Sequence, residues 1–165
     1  MLQAVEAGFQ VALLAPTEIL ARQHYNTMKS WANLAEIHLD LLLGKDTVKH
    51  RQKTYESLAE GKIDIIVGTH ALIQDEVQFK KLGFIVIDEQ HRFGVEQRLK
   101  LSEKGKNIDI LSMTATPIPR TLMLTAFGDL ATSYLRQKPS HRKEIITKTL
   151  SLARLNDVII SLKRA

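Results

Sequence analysis

The sequence predicts an α/β protein in which a parallel sheet is covered by helices. Short apolar runs alternate along the chain with longer amphipathic segments, which is typical of strands joined by crossover helices. Most of these runs are continuous rather than alternating, as expected for strands buried on both faces of a parallel sheet. With 165 residues, 44% of them hydrophobic, the chain is long enough to bury one ordinary core.

Five strands are predicted before residue 114. Four are apolar runs, continuous or nearly so, that we expect to be buried, namely VALLA at 11–15, IIVG at 65–68, FIVI at 84–87 and IDILSM at 108–113. The segment 37–43 differs because its apolar residues alternate, which favours a strand nearer the edge of the sheet. The residues on its apolar side are Ile37, Leu39, Leu41 and Leu43.

Helices are predicted between the strands. The candidates are Glu18 to about Trp31, Val48–Glu60, Glu96–Lys104 and Ile118–Phe127. Glycines follow three of them, at 61, 105 and 128, as is common at helix C-termini. The second helix is strongly charged, and we expect Val48, Tyr55 and Leu58 to form its apolar side.

Both ends of the sequence look incomplete. Residues 1–7 resemble the last turns of a helix that Gly8 terminates, and no capping residue precedes them. Near the other end, 139–143 resembles a linker, 144–150 a strand and 152–164 a helix, which together cannot bury a core. We therefore expect a first domain at 1–138, followed at 139–165 by a linker and the beginning of a second domain.

Composition excludes several classes of protein. The chain has no cysteine, which excludes disulfide scaffolds and thiolate metal sites. The apolar runs are too short to cross a bilayer, and no signal-peptide pattern is present, so we expect a soluble cytoplasmic chain. The net charge of +5 resides in residues 136–165, with eight Lys and Arg against two Asp and Glu. Such a stretch is more often a solvated surface or linker than a nucleic-acid site.

Small polar or acidic residues follow each continuous strand. They are Pro16, Thr17 and Glu18 after the first, Thr69 and His70 after the second, Asp88 and Glu89 after the third, and Thr114 and Thr116 after the fourth. Ligands of open parallel sheets bind outside the carboxyl ends of the strands, so these residues predict one crevice. The alternative is that each residue only caps the helix that follows, as Thr17 is well placed to do.

Asp88 and Glu89 are the most informative pair. Adjacent side chains at the end of a strand point in different directions, so one can face a metal-bound phosphate while the other orients a water. Magnesium prefers a few carboxylate oxygens together with waters and phosphates, and phosphoryl transfer needs positioning and charge neutralisation. His91 beside them could indicate a transition-metal site, but no second histidine has the required spacing.

Four strings in this sequence resemble the motifs of superfamily 2 helicases of the DExH type. DEQH at 88–91 resembles motif II, TAT at 114–116 motif III, VGTH at 67–70 motif Ib, and APTEILARQH at 15–24 motif Ia. The longer strings IDEQHRFGVEQR, MTATPIPRTL, THALIQ and FGDL resemble the RecG family of bacterial branched-DNA helicases. The transcription-repair coupling factors are the nearest alternative, and Gln90, Glu18 and Gly128–Leu130 favour the RecG family over them.

The resemblance implies a RecA-like sheet of the P-loop NTPase type and a role for each matching residue. Asp88 would hold Mg²⁺ through water, and Glu89 would polarise the water that attacks ATP. Gln90 and His91 would link the nucleotide to the DNA side. The coupling residues would be Thr114, Ala115, Thr116 and Arg120, the last of which could instead form a structural ion pair. The DNA track would comprise Pro16, Thr17, Glu18, Gly68, Thr69 and His70.

One motif of the family is absent from these 165 residues. No segment matches G-x-x-x-x-G-K-[ST], and the Gly-Lys pairs at 44–45, 61–62 and 105–106 are followed by Asp, Ile and Asn. Without that loop no cradle of backbone N–H groups surrounds the phosphates. We therefore expect a fragment, truncated at both ends, that does not hydrolyse ATP by itself.

The resemblance thus implies part of lobe 1 of an ATP-dependent translocase that remodels branched DNA in recombination and repair. Its cofactors would be ATP and Mg²⁺, and its partners branched DNA and the rest of the same polypeptide, including the phosphate-loop segment, lobe 2 and a wedge domain. The intact motor would be monomeric and act in the bacterial cytoplasm, with no membrane partner. The alternative from another class is a degenerate RecA-like module that acts only by binding.

Overall fold

The computed structural model describes residues 1–116, 131–135, 137, 145, 147 and 149–164. The chain divides into two compact units, Met1–Ile118 and Pro119–Ala165. The predicted helix Ile118–Phe127, the linker at 139–143 and the predicted domain boundary after residue 138 lie outside the described residues. Within the described ranges, no helix is long and apolar enough to span a membrane.

A five-stranded parallel sheet forms the centre of the first unit. Its strands are β1 (Gln10–Leu14), β2 (Leu39–Leu42), β3 (Ile65–Gly68), β4 (Leu82–Ile87) and β5 (Asp109–Ser112), in the spatial order β2-β3-β1-β4-β5. The helices are α1 (Leu2–Glu6), α2 (Glu18–Leu34), α3 (Val48–Glu60) and α4 (Val95–Ser102), with 3-10 turns at His70–Ile73 and Gln90–Arg92. The α/β class predicted from the sequence is confirmed.

The central strand β1 is buried on both faces of the sheet. Ala12 and Leu14 belong to one apolar cluster, whereas Leu13 belongs to a second cluster with Ala21 and Met28 of α2. All five residues of β1 are buried. The prediction that this continuous apolar run is a strand buried on both faces is confirmed, because helices cover both of its faces.

The two edge strands differ in how well the sequence predicted them. In β2 the alternation is confirmed, since Leu39 and Leu41 pack against one cluster and Leu42 lies in the other. The prediction that β5 is buried is wrong, because Ile110 and Leu111 are 40% and 47% exposed. β5 is the last strand in the sheet order, and an apolar run does not distinguish a central strand from an edge strand.

Capping residues set the ends of α2 and α3. The hydroxyls of Thr17 and Thr47 accept hydrogen bonds from the third residue of each helix, and Gly61 ends α3 in the left-handed conformation, with φ of 75°. The prediction for the apolar side of α3 was partly wrong. Val48 is 84% exposed, while Thr54 and Leu58 are the buried residues of α3.

Helix α4 ends earlier than predicted, and Lys104 beyond it has a different structural role. Its ammonium group donates hydrogen bonds to the carbonyls of Gln74 and Val77 at 2.7 and 2.8 Å. Burial lowers the pKa of Lys104, against the opposing influence of Asp75 and Glu76. Lys104 thus ties the chain after α4 to the segment that follows the 3-10 turn His70–Ile73.

The second unit contains a 3-10 turn at Leu152–Arg154 and helix α5 (Leu155–Arg164) among its described residues. The Ser151 hydroxyl accepts a hydrogen bond from the amide of Ala153, and Arg154 pairs with Asp157 at 3.0 Å. The helix predicted at 152–164 is confirmed. The strand predicted at 144–150 is not found at its described residues, which are Ile145, Thr147, Thr149 and Leu150.

Candidate functional site

Backbone hydrogen bonds lock the end of β4 between its two neighbouring strands. The amide of Asp88 donates to the carbonyl of Leu14 at 2.9 Å, and the amide of Met113 donates to that of Ile87 at 2.8 Å. The amide of Gln90 then donates to the carbonyl of Met113 at 3.2 Å. The predicted acidic pair is therefore held next to the residues that follow β5.

Glu89 is joined to the residues after β5 by a hydrogen-bonded network. Its Oε2 accepts a hydrogen bond from the Thr114 hydroxyl at 3.1 Å and lies 3.5 Å from Nδ1 of His91. The hydroxyls of Thr114 and Thr116 are 2.9 Å apart, and Ala115 between them is exposed. A bond from a hydroxyl to a carboxylate is stronger than one between neutral groups. The structure thus brings together four predicted site residues, namely Glu89, His91, Thr114 and Thr116.

The backbone at Glu89 adopts a left-handed conformation, with φ of 47° and ψ of 54°. This region is uncommon for a residue with a side chain and costs roughly 1–3 kcal/mol, and such residues cluster at functional sites. The conformation lets two adjacent carboxylates bond to different parts of the fold. Glu89 bonds to Thr114, whereas Asp88 bonds to a residue of α2.

That partner of Asp88 is His24, which the sequence analysis did not include among the site residues. Nε2 of His24 lies 2.7 Å from Oδ2 of Asp88, and the two side chains are 29% and 19% exposed. His24 is the last residue of the string APTEILARQH. The signal that could have identified it is its position two turns into the helix that follows β1, the strand next to β4.

Two polar side chains at this edge of the sheet are buried without a complete set of partners. Gln90 and Thr69 are 5% and 2% exposed. Neither Oε1 of Gln90 nor Oγ1 of Thr69 has a hydrogen-bond partner within the described part of the chain. A buried polar atom that stays without a partner typically costs about 1–3 kcal/mol, so these two oxygens mark positions where a bound ligand could supply a hydrogen bond.

The first group of residues predicted to line the DNA track follows β1. Thr17 is exposed, and its hydroxyl accepts a hydrogen bond from the amide of Leu20 at 3.3 Å, so its capping role is confirmed. Glu18 pairs with Lys45 at 3.8 Å and lies in the first turn of α2, where a negative charge is favourable. Pro16 is half-buried.

The second group follows β3, and packing accounts for most of it. Gly68 is buried, and a Cβ there would lie 2.5 Å from the carbonyl oxygen of Leu42 and 2.8 Å from Cγ of Leu72. Thr69 is also buried, whereas His70 is exposed, with its ring beside Gly44. His70 is therefore the residue of this group that a ligand can reach without rearrangement. Arg120 lies outside the described residues.

The side chains around Asp88 fit a magnesium ion that keeps most of its water. Among the described residues, no group of three or more His, Cys, Asp or Glu side chains is arranged to hold a metal. Magnesium is usually bound through one or two carboxylates together with waters and substrate phosphates, rather than in a cage made of protein atoms. The Asp88 carboxylate suits that mode, because one oxygen is bonded to His24 and the described residues provide no other side-chain partner.

Residues 1–125 match the family model of the DEAD/DEAH box helicases. The ATP-dependent DNA helicase RecG of Streptococcus pneumoniae is 50% identical over 96% of this chain and 23% of its own length. The same-named helicase of Thermotoga maritima is 48% identical over 96% of this chain and 20% of its own length. The chain thus spans about a fifth of the length of these relatives, and the predicted resemblance to the RecG family is confirmed.

Solved structures agree on the fold. A structure of RecG bound to a three-way DNA junction superposes with a TM-score of 0.76 at 43% identity, covering 95% of this chain and 21% of that one. The helicase Lhr of Mycobacterium smegmatis superposes with a TM-score of 0.53 at 16% identity, which shows a similar fold only. The RecA-like α/β fold predicted from the motifs is confirmed.

Proposed function

Since the chain belongs to the DEAD/DEAH box helicase family, we propose that it forms part of an ATP-dependent DNA helicase that remodels branched DNA. Its relatives are named ATP-dependent DNA helicase RecG, and a similar solved structure is of RecG bound to a three-way DNA junction. The transcription-repair coupling factors receive no comparable support from these relatives. Binding without catalysis would give the chain no chemical need for two adjacent carboxylates.

The observation that carries the proposal is the hydrogen bond between Glu89 and Thr114. It joins the acidic pair after β4 to the hydroxyls after β5, which are the two strings that resemble motifs II and III. A carboxylate held in this way has a fixed orientation toward the edge of the sheet where ligands of parallel α/β folds bind. Such fixed orientation is what phosphoryl transfer to water requires of the protein.

Each member of the acidic pair has a different proposed role. Asp88 would hold magnesium through water, and Glu89 would orient and polarise the attacking water for ATP hydrolysis. The ion would neutralise charge on the phosphates when bound. Thr114 and Thr116, with Ala115 between them, would couple Glu89 to movement of the domains, and Arg120 has the same proposed role. Gln90 and His91 would connect this site to the DNA.

The proposed DNA track runs along the residues after β1 and β3. Thr17 and His70 are its exposed members, and short polar side chains and backbone amides suit contacts with phosphates. Phosphate contacts position DNA without selecting its sequence, as a motor that moves along any sequence needs. Pro16, Glu18, Gly68 and Thr69 would contribute mainly by holding the backbone of this track in place.

The proposal extends to the organisation of the whole protein. Residues 1–138 would form part of lobe 1, and 139–165 a linker and the beginning of lobe 2. The phosphate loop, the rest of lobe 2 and a wedge domain would come from the same polypeptide, which would work as a monomer in the bacterial cytoplasm. The 165 residues alone would not hydrolyse ATP, because they contain no phosphate-loop motif.

The Glu89→Gln substitution tests this function in the full-length gene product that contains the chain. It keeps the size of the side chain and its ability to accept from Thr114 but removes the negative charge. We expect DNA-stimulated ATP hydrolysis, measured by phosphate release, to fall at least about 100-fold, since general-base contributions are of that order. Glu103→Gln, at an exposed position after α4, is the matched control and should keep full activity.

Three results would contradict parts of the proposal. If the Glu89→Gln variant retains DNA-stimulated ATP hydrolysis, Glu89 has no role in the reaction. Equal stimulation of ATP hydrolysis by a three-way junction and by linear duplex of the same length would show that branched DNA is not the preferred substrate. Hydrolysis by the purified 165-residue chain that Glu89→Gln abolishes would contradict the prediction that the chain alone is inactive.

A further inference from the structure

The hydrogen bond between His24 and Asp88 connects α2 to the end of β4. It is short, at 2.7 Å, and partly shielded from water, because the two side chains are 29% and 19% exposed. The residues lie 64 positions apart in sequence, so the bond exists only because α2 packs beside the end of β4. None of the roles assigned above uses His24.

We propose that His24 is a positioning residue that fixes the Asp88 carboxylate for magnesium and joins it mechanically to the helix that carries Thr17 and Glu18. This inference rests on the proposed function, because it assigns Asp88 to the magnesium site. His24 does not touch the ion or the nucleotide. Its effect is to hold Asp88 in one orientation through Oδ2.

The hydrogen-bonding pattern of Asp88 supports this role. Oδ2 is bonded to the imidazole, while Oδ1 has no side-chain partner in the described part of the chain. A carboxylate held at one oxygen cannot rotate freely, so its other oxygen keeps a constant direction toward water coordinated by a metal. Groups that orient the ligands of a metal in this way typically change metal affinity by 10- to 100-fold when removed.

Helix α2 is a suitable rigid connection between the two proposed sites. Ala21, Met28 and Ala32 are 0%, 5% and 0% exposed and anchor the helix against the sheet. Thr17, which caps the helix, and His24 are seven residues apart, which corresponds to about 10 Å along a helix. A shift imposed on the N-terminus of α2 by DNA would therefore reach Asp88 through a single rigid element.

A second histidine–aspartate pair in the same chain provides an internal control. Nδ1 of His38 lies 3.3 Å from Oδ2 of Asp64, which also accepts the backbone amide of His38 at 2.8 Å. The His38 side chain is 77% exposed, and the pair lies where β2 and β3 begin, at the opposite edge of the sheet from Asp88. Breaking this pair removes a histidine–carboxylate bond without altering the proposed magnesium site.

The test compares His24→Gln with His24→Met in the full-length gene product. The two side chains are similar in size, but only glutamine offers an N–H donor to Asp88. The probe is Mn²⁺ with ADP, whose binding is measured by electron paramagnetic resonance without any turnover. We expect His24→Met to weaken Mn²⁺ binding about 10-fold, His24→Gln to retain most of the affinity, and His38→Met to match the wild type.

Activity provides the second measurement. The Mg²⁺ concentration for half-maximal ATP hydrolysis should rise about 10-fold in the His24→Met variant, while His38→Met leaves it unchanged. A merely structural role of His24 would lower the unfolding midpoint in urea and leave the Mg²⁺ dependence as in the wild type. Equal Mn²⁺ affinity for wild type, His24→Met and His24→Gln overturns the inference.

Failure of the inference is distinguishable from failure of the proposed function. If Glu89→Gln abolishes hydrolysis and His24→Met leaves metal binding unchanged, the function stands and the role of His24 does not. If Glu89→Gln leaves hydrolysis intact, the proposed function fails. If neither His24 variant folds, NMR is used to compare the ¹⁵N chemical shifts of the His24 ring nitrogens in the wild-type protein and in the Asp88→Asn variant. Unchanged ¹⁵N shifts would then overturn the inference, and shifts confined to His24 would support it.

Discussion

The residues that follow β3 and those that follow β4 have similar positions in the sheet, but their side chains make different contacts. Both strands lie next to β1, and both are followed by a buried polar residue, Thr69 after β3 and Gln90 after β4, whose side-chain oxygen has no hydrogen-bond partner among the described residues. After β4, two carboxylates bond to partners from other elements of the fold. After β3, Gly68 and Thr69 are enclosed by packing.

This difference separates two reasons for which small or polar residues follow a buried strand. At the end of β4 the residues form a network whose members hold one another in a fixed orientation, which is the arrangement that chemistry requires. At the end of β3, Gly68 is required because the backbone of Leu42 and the side chain of Leu72 leave no room for a Cβ. We therefore expect substitutions to alter mainly activity after β4 and mainly folding after β3.

The largest effect on stability is expected from Gly68→Ala at the β3 end. The new Cβ would lie 2.5 Å from the carbonyl oxygen of Leu42, and backbone cannot move aside as a flexible side chain can. Overpacking of this kind costs about 2–3 kcal/mol. Urea unfolding of the 165-residue chain, followed by circular dichroism, measures the change.

Gly94→Ala, on the β4 side, is the matched control for this substitution. Gly94 precedes α4 with φ of −64°, and no atom lies within 4 Å of the position of its Cβ. Its replacement should cost less than about 1 kcal/mol, mainly because alanine is a poor residue at a helix N-terminus. Equal losses for the two variants would show that Gly68 is not required for packing.

The sequence predicted the elements that can be recognised from their own local pattern of apolar and polar residues. Continuous apolar runs predicted β1, β3 and β4, the alternating apolar residues predicted β2, and the polar residues after β4 predicted the acidic pair. The sequence did not predict the exposure of β5, because an apolar run is the same whether one neighbouring strand or two lie beside it. It also did not predict the role of His24. That role depends on the packing of α2 beside β4, which brings His24 to 2.7 Å from the carboxylate of Asp88, 64 residues away in sequence.

A smaller effect is expected from Thr114→Val, which removes the hydroxyl that connects the ends of β4 and β5. Valine keeps the shape of the side chain, but Glu89 and Thr116 each lose a hydrogen-bond partner. Because these groups are partly exposed and water can replace the hydroxyl, we expect a loss of only about 1.5 kcal/mol. ATP hydrolysis by the full-length variant should fall by a larger factor than stability alone explains. A variant with altered stability but normal hydrolysis would reduce Thr114 to a structural residue.

The smallest effect, and one of opposite sign, is expected from Thr69→Val after β3. The Thr69 hydroxyl is buried and has no partner among the described residues, so replacing it with a methyl group removes an unsatisfied polar atom and should stabilise the chain by about 1 kcal/mol. Thr54→Val is the matched control, because Thr54 is equally buried but donates to Asp40 at 3.3 Å and should lose stability instead. If Thr69→Val destabilises the chain as Thr54→Val does, the hydroxyl has a partner, and the end of β3 resembles the bonded end of β4. If Thr69→Val stabilises the chain but weakens DNA binding by the full-length protein, the Thr69 hydroxyl lowers the stability of the fold and contributes to DNA binding.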